Sequence, residues 1–182
     1  VLASRSMNIL PSLLEPHAAL LSPALNRLDE LDAEGLLAAP VDLEAMVQHG
    51  VDSRPRLDGQ RLEFDEPTCV VVTGDVTAET LVLEEQSVLL VLGNLKARSA
   101  RLYGTALVLG TCEVTESLVG HGEPHTLTVL GAVQAGRCEM HQQYIMQFLG
   151  GGTLASLSDS EGGEEELLEL MHAAGSALQV GA

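Results

Sequence analysis

Tryptophan is absent from this chain of 182 residues, and aromatics together supply only 2% of it. A core without large rings must be aliphatic, filled by Val, Leu, Ile and Ala. Basic residues are scarce as well: 9 Lys and Arg stand against 26 Asp and Glu, a net charge of −17. Such a field repels nucleic acid and anionic membranes and speeds encounter with a basic protein. The excess is uneven, with 12 acidic and 5 basic residues in 1–66, 8 and 4 in 67–150, and 6 and none in 151–182. Cysteine is limited to Cys69, Cys112 and Cys138. An odd count without secretory context points to reduced, buried thiols rather than a disulfide framework. No apolar run is long enough for a membrane span, and no cationic start leads into an apolar core. The expected compartment is the cytoplasm. General disorder is excluded by a hydrophobic fraction of 46% and a mean hydropathy of +0.20.

What the chain does have is a repeat. One phrase recurs as Val70–Ala78, Leu89–Ala97, Ala106–Val114 and Leu127–Ala135, with a weaker fifth copy from Met146 to Gly150. Its glycines, Gly74, Gly93, Gly110, Gly131 and Gly150, are spaced by 19, 17, 21 and 19 residues. A period of this size is the mark of a solenoid. Within each copy, apolar residues alternate in three bursts. They stand two and four before the glycine (Val91, Leu89), two and four after it (Leu95, Ala97), and seven and nine after it (Ala100, Leu102; in the next copy Ser117, Val119). Alternation at period two is a strand with one buried face. Three such strands per turn predict a mostly β protein, a three-sided parallel β-helix, with each glycine at a corner where φ is free to be positive.

One wall carries more than an inner face. Val71, Leu90 and Leu107 lie three before their glycines, and Leu92, Leu109 and Leu130 one before; all point outward in this register and all are apolar. A strand buried on both faces reads as a continuous apolar run. These six residues form a candidate interaction wall, to be covered by the chain's own helices or by a second subunit.

The flanks read as helical. Val1–Ser6 look like a vector-derived leader to Met7, and residues 7–50 read as a helical N-terminal cap. Within it, Pro11 and Ser12 begin one helix, Ser22-Pro23 begins a second with Leu25, Leu28, Leu31 and Leu36 as its stripe, and Pro40–His49 carries a third that stops at Gly50. The β-solenoid is expected over 51–157, its opening coil irregular, with Pro55 in place of the corner glycine and Leu62 and Phe64 extending the third-strand ladder. Residues 158–182 read as a linker and a C-terminal helix over Glu164–Leu178, apolar at Leu167, Leu170 and Met171.

Candidates for chemistry are few. His121, His125 and His141 form a metal-site alternative, since stacked coils bring residues about one period apart together and zinc takes neutral imidazole nitrogens. The stronger reading is a Gly/Pro-containing surface loop with two exposed histidines. Glu84, Glu85 and Glu116 fall on outer turns, where a solvated role outweighs acid–base work. Gly150–Gly152 lacks the lysine of a phosphate loop, and no basic cluster with aromatics marks a nucleic-acid surface. No cofactor, no metal and no catalytic residue is expected.

The phrases Val72-Thr73-Gly74-Asp75-Val76-Thr77-Ala78 and Val91-Leu92-Gly93-Asn94-Leu95-Lys96-Ala97 resemble repeats of bacterial polymer-forming β-helix proteins of the bactofilin kind, over residues 68–150. The resemblance implies a right-handed, three-sided β-helix in the bacterial cytoplasm that assembles end to end. Those proteins are flanked by flexible tails, whereas both flanks here read as amphipathic helices. The leading expectation is therefore a non-catalytic protein-binding solenoid, a scaffold or a neutralising partner of the immunity type for a basic protein. A bactofilin-like polymer and a metal-dependent enzyme on the histidines are the alternatives.

Overall fold

The computed structural model describes residues 10–160, 162, 165 and 178–181. The first described element is a 3-10 helix, Ser12–His17, that runs directly into α1, Ala18–Ala33. A strap then leads to the short α2, Leu43–Met46. Strands follow in alternation: β1 Val51–Arg54, β2 Leu57–Phe64, β3 Cys69–Val72, β4 Val76–Leu83, β5 Val88–Val91, β6 Leu95–Leu102, β7 Thr105–Val108, β8 Cys112–His121, β9 Thr126–Val129, β10 Val133–His141, β11 Ile145–Phe148 and β12 Gly152–Asp159. The last described strand is β13, Leu178–Val180.

Every pairing between these strands is parallel. The short odd strands stack as one sheet, β1-β3-β5-β7-β9-β11, and the long even ones as another, β13-β12-β10-β8-β6-β4-β2. The even strands supply two walls each, because their burial changes phase midway. Val76 and Ala78 are buried, then Leu81 and Leu83. The step of three between Ala78 and Leu81 breaks strict alternation, so the chain turns a corner there. The result is a β-solenoid of about six turns with three apolar ladders inside. Leu81, Ala100, Leu118 and Cys138 stack in register in one of them.

Glycine holds its corner for a different reason than turn conformation. None of the five repeat glycines has positive φ. Instead, a Cβ on Gly93, Gly110, Gly131 or Gly150 would run into the carbonyl oxygen of the glycine one coil below. The same backbones are joined by hydrogen bonds, Gly110 N to Gly93 O at 2.9 Å and Gly131 N to Gly110 O at 3.0 Å. The residue after the glycine completes the corner. Asp75 Oδ1 accepts from Asn94 N at 2.9 Å, and Asn94 Oδ1 accepts from Thr111 N at 2.8 Å. Asn94→Ala should therefore cost about 1 kcal/mol in a urea melt, the usual net worth of such a bond.

Several sequence expectations need correction. Val119 and Ser117 do not face inward: β8 contains a bulge near Thr115 and Glu116, which shifts its register and places Leu118 and Gly120 inside. Gly120 is small because the Tyr144 ring occupies the space a side chain would take. Ser22-Pro23 does not start a helix either. Helix α1 continues through Pro23, because Leu21, Leu25, Leu28 and Leu31 form one buried stripe across it, and that burial outweighs a lost backbone bond. The third helix is only four residues long, capped by Asp42 Oδ1 accepting from Ala45 N. The solenoid runs through Asp159, beyond the expected boundary at 157. Leu178 opens a strand instead of closing a helix. The rest of the expected C-terminal stripe, Leu167, Leu170 and Met171, and the leader Val1–Ser6 lie outside the described residues.

Candidate functional site

The apolar outer wall is covered by the chain itself. Val71, Leu90, Leu92 and Leu107 form one buried cluster with Leu14, Leu21, Leu25, Leu28 and Leu31 of the N-terminal helices, and Leu109 and Leu130 pack against it half-buried. Cys69 belongs to the same cluster, on the outer face rather than in the solenoid interior. The candidate interaction wall is thus an internal interface.

The cover is incomplete, and where it ends a groove opens. In the last coils the outward column changes from leucine to polar residues, Thr128 and then Gln147. Gln147, 2% exposed, clamps the strap: its Oε1 accepts from Ala39 N at 3.2 Å, and its Nε2 donates to Ala39 O at 2.9 Å and to Thr128 Oγ1 at 3.0 Å. Between this pinned strap with α2 on one side and successive corner turns on the other lies a groove of about 1290 Å³. Its floor includes the outward column Val88, Thr105, Thr126 and Ile145.

Among the described residues, five carboxylates line the groove, Asp42, Asp65, Glu84, Glu85 and Glu123, and no Lys or Arg does. Elsewhere several carboxylates are paired. Lys96 meets Glu113, Arg98 meets Glu116 and Glu79, Arg137 meets Glu139, and Arg61 meets Glu63. Arg61, Lys96, Arg98, Arg101 and Arg137 sit on the outer faces of the even strands, away from the groove, which keeps an uncompensated negative field. Glu84 and Glu85 were legible as outer-turn residues; their alignment with Asp65 and Glu123 was not, since it depends on coil stacking. His125 also lies here, its Nδ1 3.1 Å from Thr105 Oγ1.

The three candidate histidines are not brought together. His121 and His141 stack face to face with ring centroids 4.7 Å apart, and Tyr103 extends the stack at 5.3 Å from His121. His125 is held in the groove by Thr105 instead. Among the described residues, no three His, Cys, Asp or Glu side chains are grouped as metal ligands. The corner glycines serve packing, as described above. All three thiols are buried, and burial pushes each up to about 12, so none is a ready nucleophile.

Two histidines titrate in a direction that can be measured. Burial holds His121 below its ordinary value, assisted by His141 and Arg101 and opposed by Glu139. Burial likewise lowers His125, opposed by Glu85. The unfolded chain then binds these protons more readily than the folded one, so their contribution to stability is full above about pH 6.5 and is lost as the pH falls through it. Urea midpoints at pH 7.5 and 5.5 should show a loss on acidification that is smaller in the His121→Gln/His125→Gln variant.

Among the described residues, no helix is long and apolar enough to cross a membrane. Comparison with protein families, curated proteins and solved structures found no match to this chain.

Proposed function

We propose that the protein is a non-catalytic, protein-binding β-solenoid, acting as a scaffold or as a neutralising partner of a basic protein. The observation that carries this reading is the contrast between the two halves of the outer wall. The apolar half is occupied by the chain's own helix, and the polar half is an open groove whose carboxylates have no Lys or Arg beside them among the described lining residues. Uncompensated like charges destabilise a folded chain by self-repulsion, and a basic partner relieves that cost. The test is affinity purification of the full chain from its native cell at low salt. A stoichiometric partner of high isoelectric point that is released by added salt supports the proposal. Recovery of an acidic partner, or of one indifferent to salt, contradicts it.

A second reading, end-to-end assembly of the bactofilin kind, rests on the first coil. Among the described residues, β1 and β2 are unpaired along one edge, and Leu57, Leu62 and Phe64 are only partly buried there. A hollow of about 440 Å³ opens beside them. Against stacking, this coil carries Asp52 and Arg54 in the columns that hold Val70 and Val72 one coil above. The two are joined at 3.1 Å. Charges in such columns are a known device for discouraging strand addition. Light scattering over a range of concentration separates the readings: a constant small mass favours the binder, and mass growing with concentration favours the polymer.

A further inference from the structure

We propose that the groove between the strap and the corner turns binds an extended, lysine- or arginine-bearing segment of a partner protein, laid along the solenoid axis. The inference rests on the protein-binding reading and specifies its site and the form of its ligand. The groove is long in the required sense. Its lining runs from Asp65 in the first coil through Glu84 and Glu85 to Glu123 and Ile145. Coils repeat at about 4.8 Å, so five successive turns span roughly 20 Å, the reach of about six extended residues.

Its chemistry calls for separated positive charges. Asp42 stands on the strap side, and Asp65, Glu84, Glu85 and Glu123 stand on the turn side. They are spread over several coils, and among the described residues they form no ligand cluster for a single metal ion. A string of cationic side chains matches that distribution better than one divalent cation.

A second observation concerns the groove floor and is independent of charge. Thr126 is 8% exposed and lines the groove floor, and among the described residues no side chain or backbone group bonds its hydroxyl, while the neighbouring Thr105 and Thr128 hydroxyls are both engaged. Without a protein partner, that hydroxyl is open to water or to a ligand lying in the groove. An extended segment in the groove would supply one through its backbone amides or carbonyls. A groove wall fixed by the Gln147 clamp and by stacked coils is preorganised, so little ordering is needed on binding.

The experiment uses the full chain and a fluorescent peptide of about ten residues alternating lysine and serine, titrated at low salt by anisotropy, with a glutamate–serine peptide as control. The Glu84→Gln/Glu85→Gln/Glu123→Gln variant should weaken the lysine peptide at least about tenfold. A variant of equal charge change at exposed positions on and just after α1, Glu30→Gln/Asp32→Asn/Glu34→Gln, should weaken it less than about twofold. Thr126→Val should weaken it several-fold while leaving the urea midpoint unchanged or raised. Equal weakening by the two triple variants would mean binding to the general acidic field; the groove assignment would then fall while the basic-partner reading stood. Spermine binding as tightly as the peptide, or unchanged affinity in Thr126→Val, would overturn the extended-segment form of the proposal. No binding of the lysine peptide by the full chain would overturn both.

Discussion

Removal of residues 1–50 should turn a small soluble species into aggregates or high oligomers. The deletion leaves every solenoid strand intact, since β1 begins at Val51. It uncovers the outward faces of Val71, Leu90 and Leu107, all at most 1% exposed in the intact chain, with Leu92, Leu109 and Leu130 alongside. Each fully buried leucine or valine is worth about 1.5–3 kcal/mol relative to water. An apolar patch of this kind on a flat parallel sheet will find another surface. The point variant Leu28→Asp, at a fully buried position of α1, should reproduce a milder form, with lower stability and association that grows with concentration. Size-exclusion chromatography with light scattering reads both. A truncated protein that keeps the size and urea midpoint of the full chain would show that the helix is dispensable as a cover.

Val91→Asp should abolish soluble expression, while Lys96→Asp should be tolerated. Val91 is 0% exposed in the central apolar column between Val72 and Val108. An aspartate there has no cation to pair with, and the cost of burying it is on the order of 4 kcal/mol or more. A solenoid is held by contacts between adjacent coils, so breaking the third coil disconnects both halves. Lys96 lies only five residues on, but its side chain is 64% exposed and meets Glu113 at a loose 3.8 Å. Its replacement removes a surface pair worth about 0–1 kcal/mol and adds a modest repulsion. Soluble yield and circular-dichroism melting of the two variants distinguish the inward register from the outward one.

The central architecture was readable because a solenoid repeats its evidence. Val72, Val91, Val108 and Val129 stand in one column in the structure as they do in the text of the repeat. The cover of the outer wall was readable for a related reason, since Leu90 and Leu107 have no cause to be apolar unless something lies on them. What escaped was whatever depends on a single residue or on distance along the chain. The bulge in β8 hides in Thr115-Glu116-Ser117-Leu118-Val119, where both alternations look plausible until neighbouring strands choose one. The Gln147 clamp joins residues 108 apart, and nothing local to either marks it. The positive φ expected at the repeat corners was a misplaced cause: close approach between coils excludes a side chain there, whatever the torsion. The groove escaped as well, because its acidic residues come from separate turns and gather only when the coils stack.

The chain's own N-terminal helices seal the outer wall and leave the groove open beside it. Cys69 reports on that seal, because it is the one cysteine placed in the outer cluster, while Cys112 and Cys138 lie in the solenoid interior. Pulse labelling of the native full chain with N-ethylmaleimide, mapped by mass spectrometry, measures it directly. The predicted result is slow labelling at all three positions, with Cys69 alone becoming fast in the Leu28→Asp/Leu43→Asp variant. Labelling of Cys69 at the rate of a free thiol in the intact chain, with Cys112 and Cys138 still protected, would contradict the account.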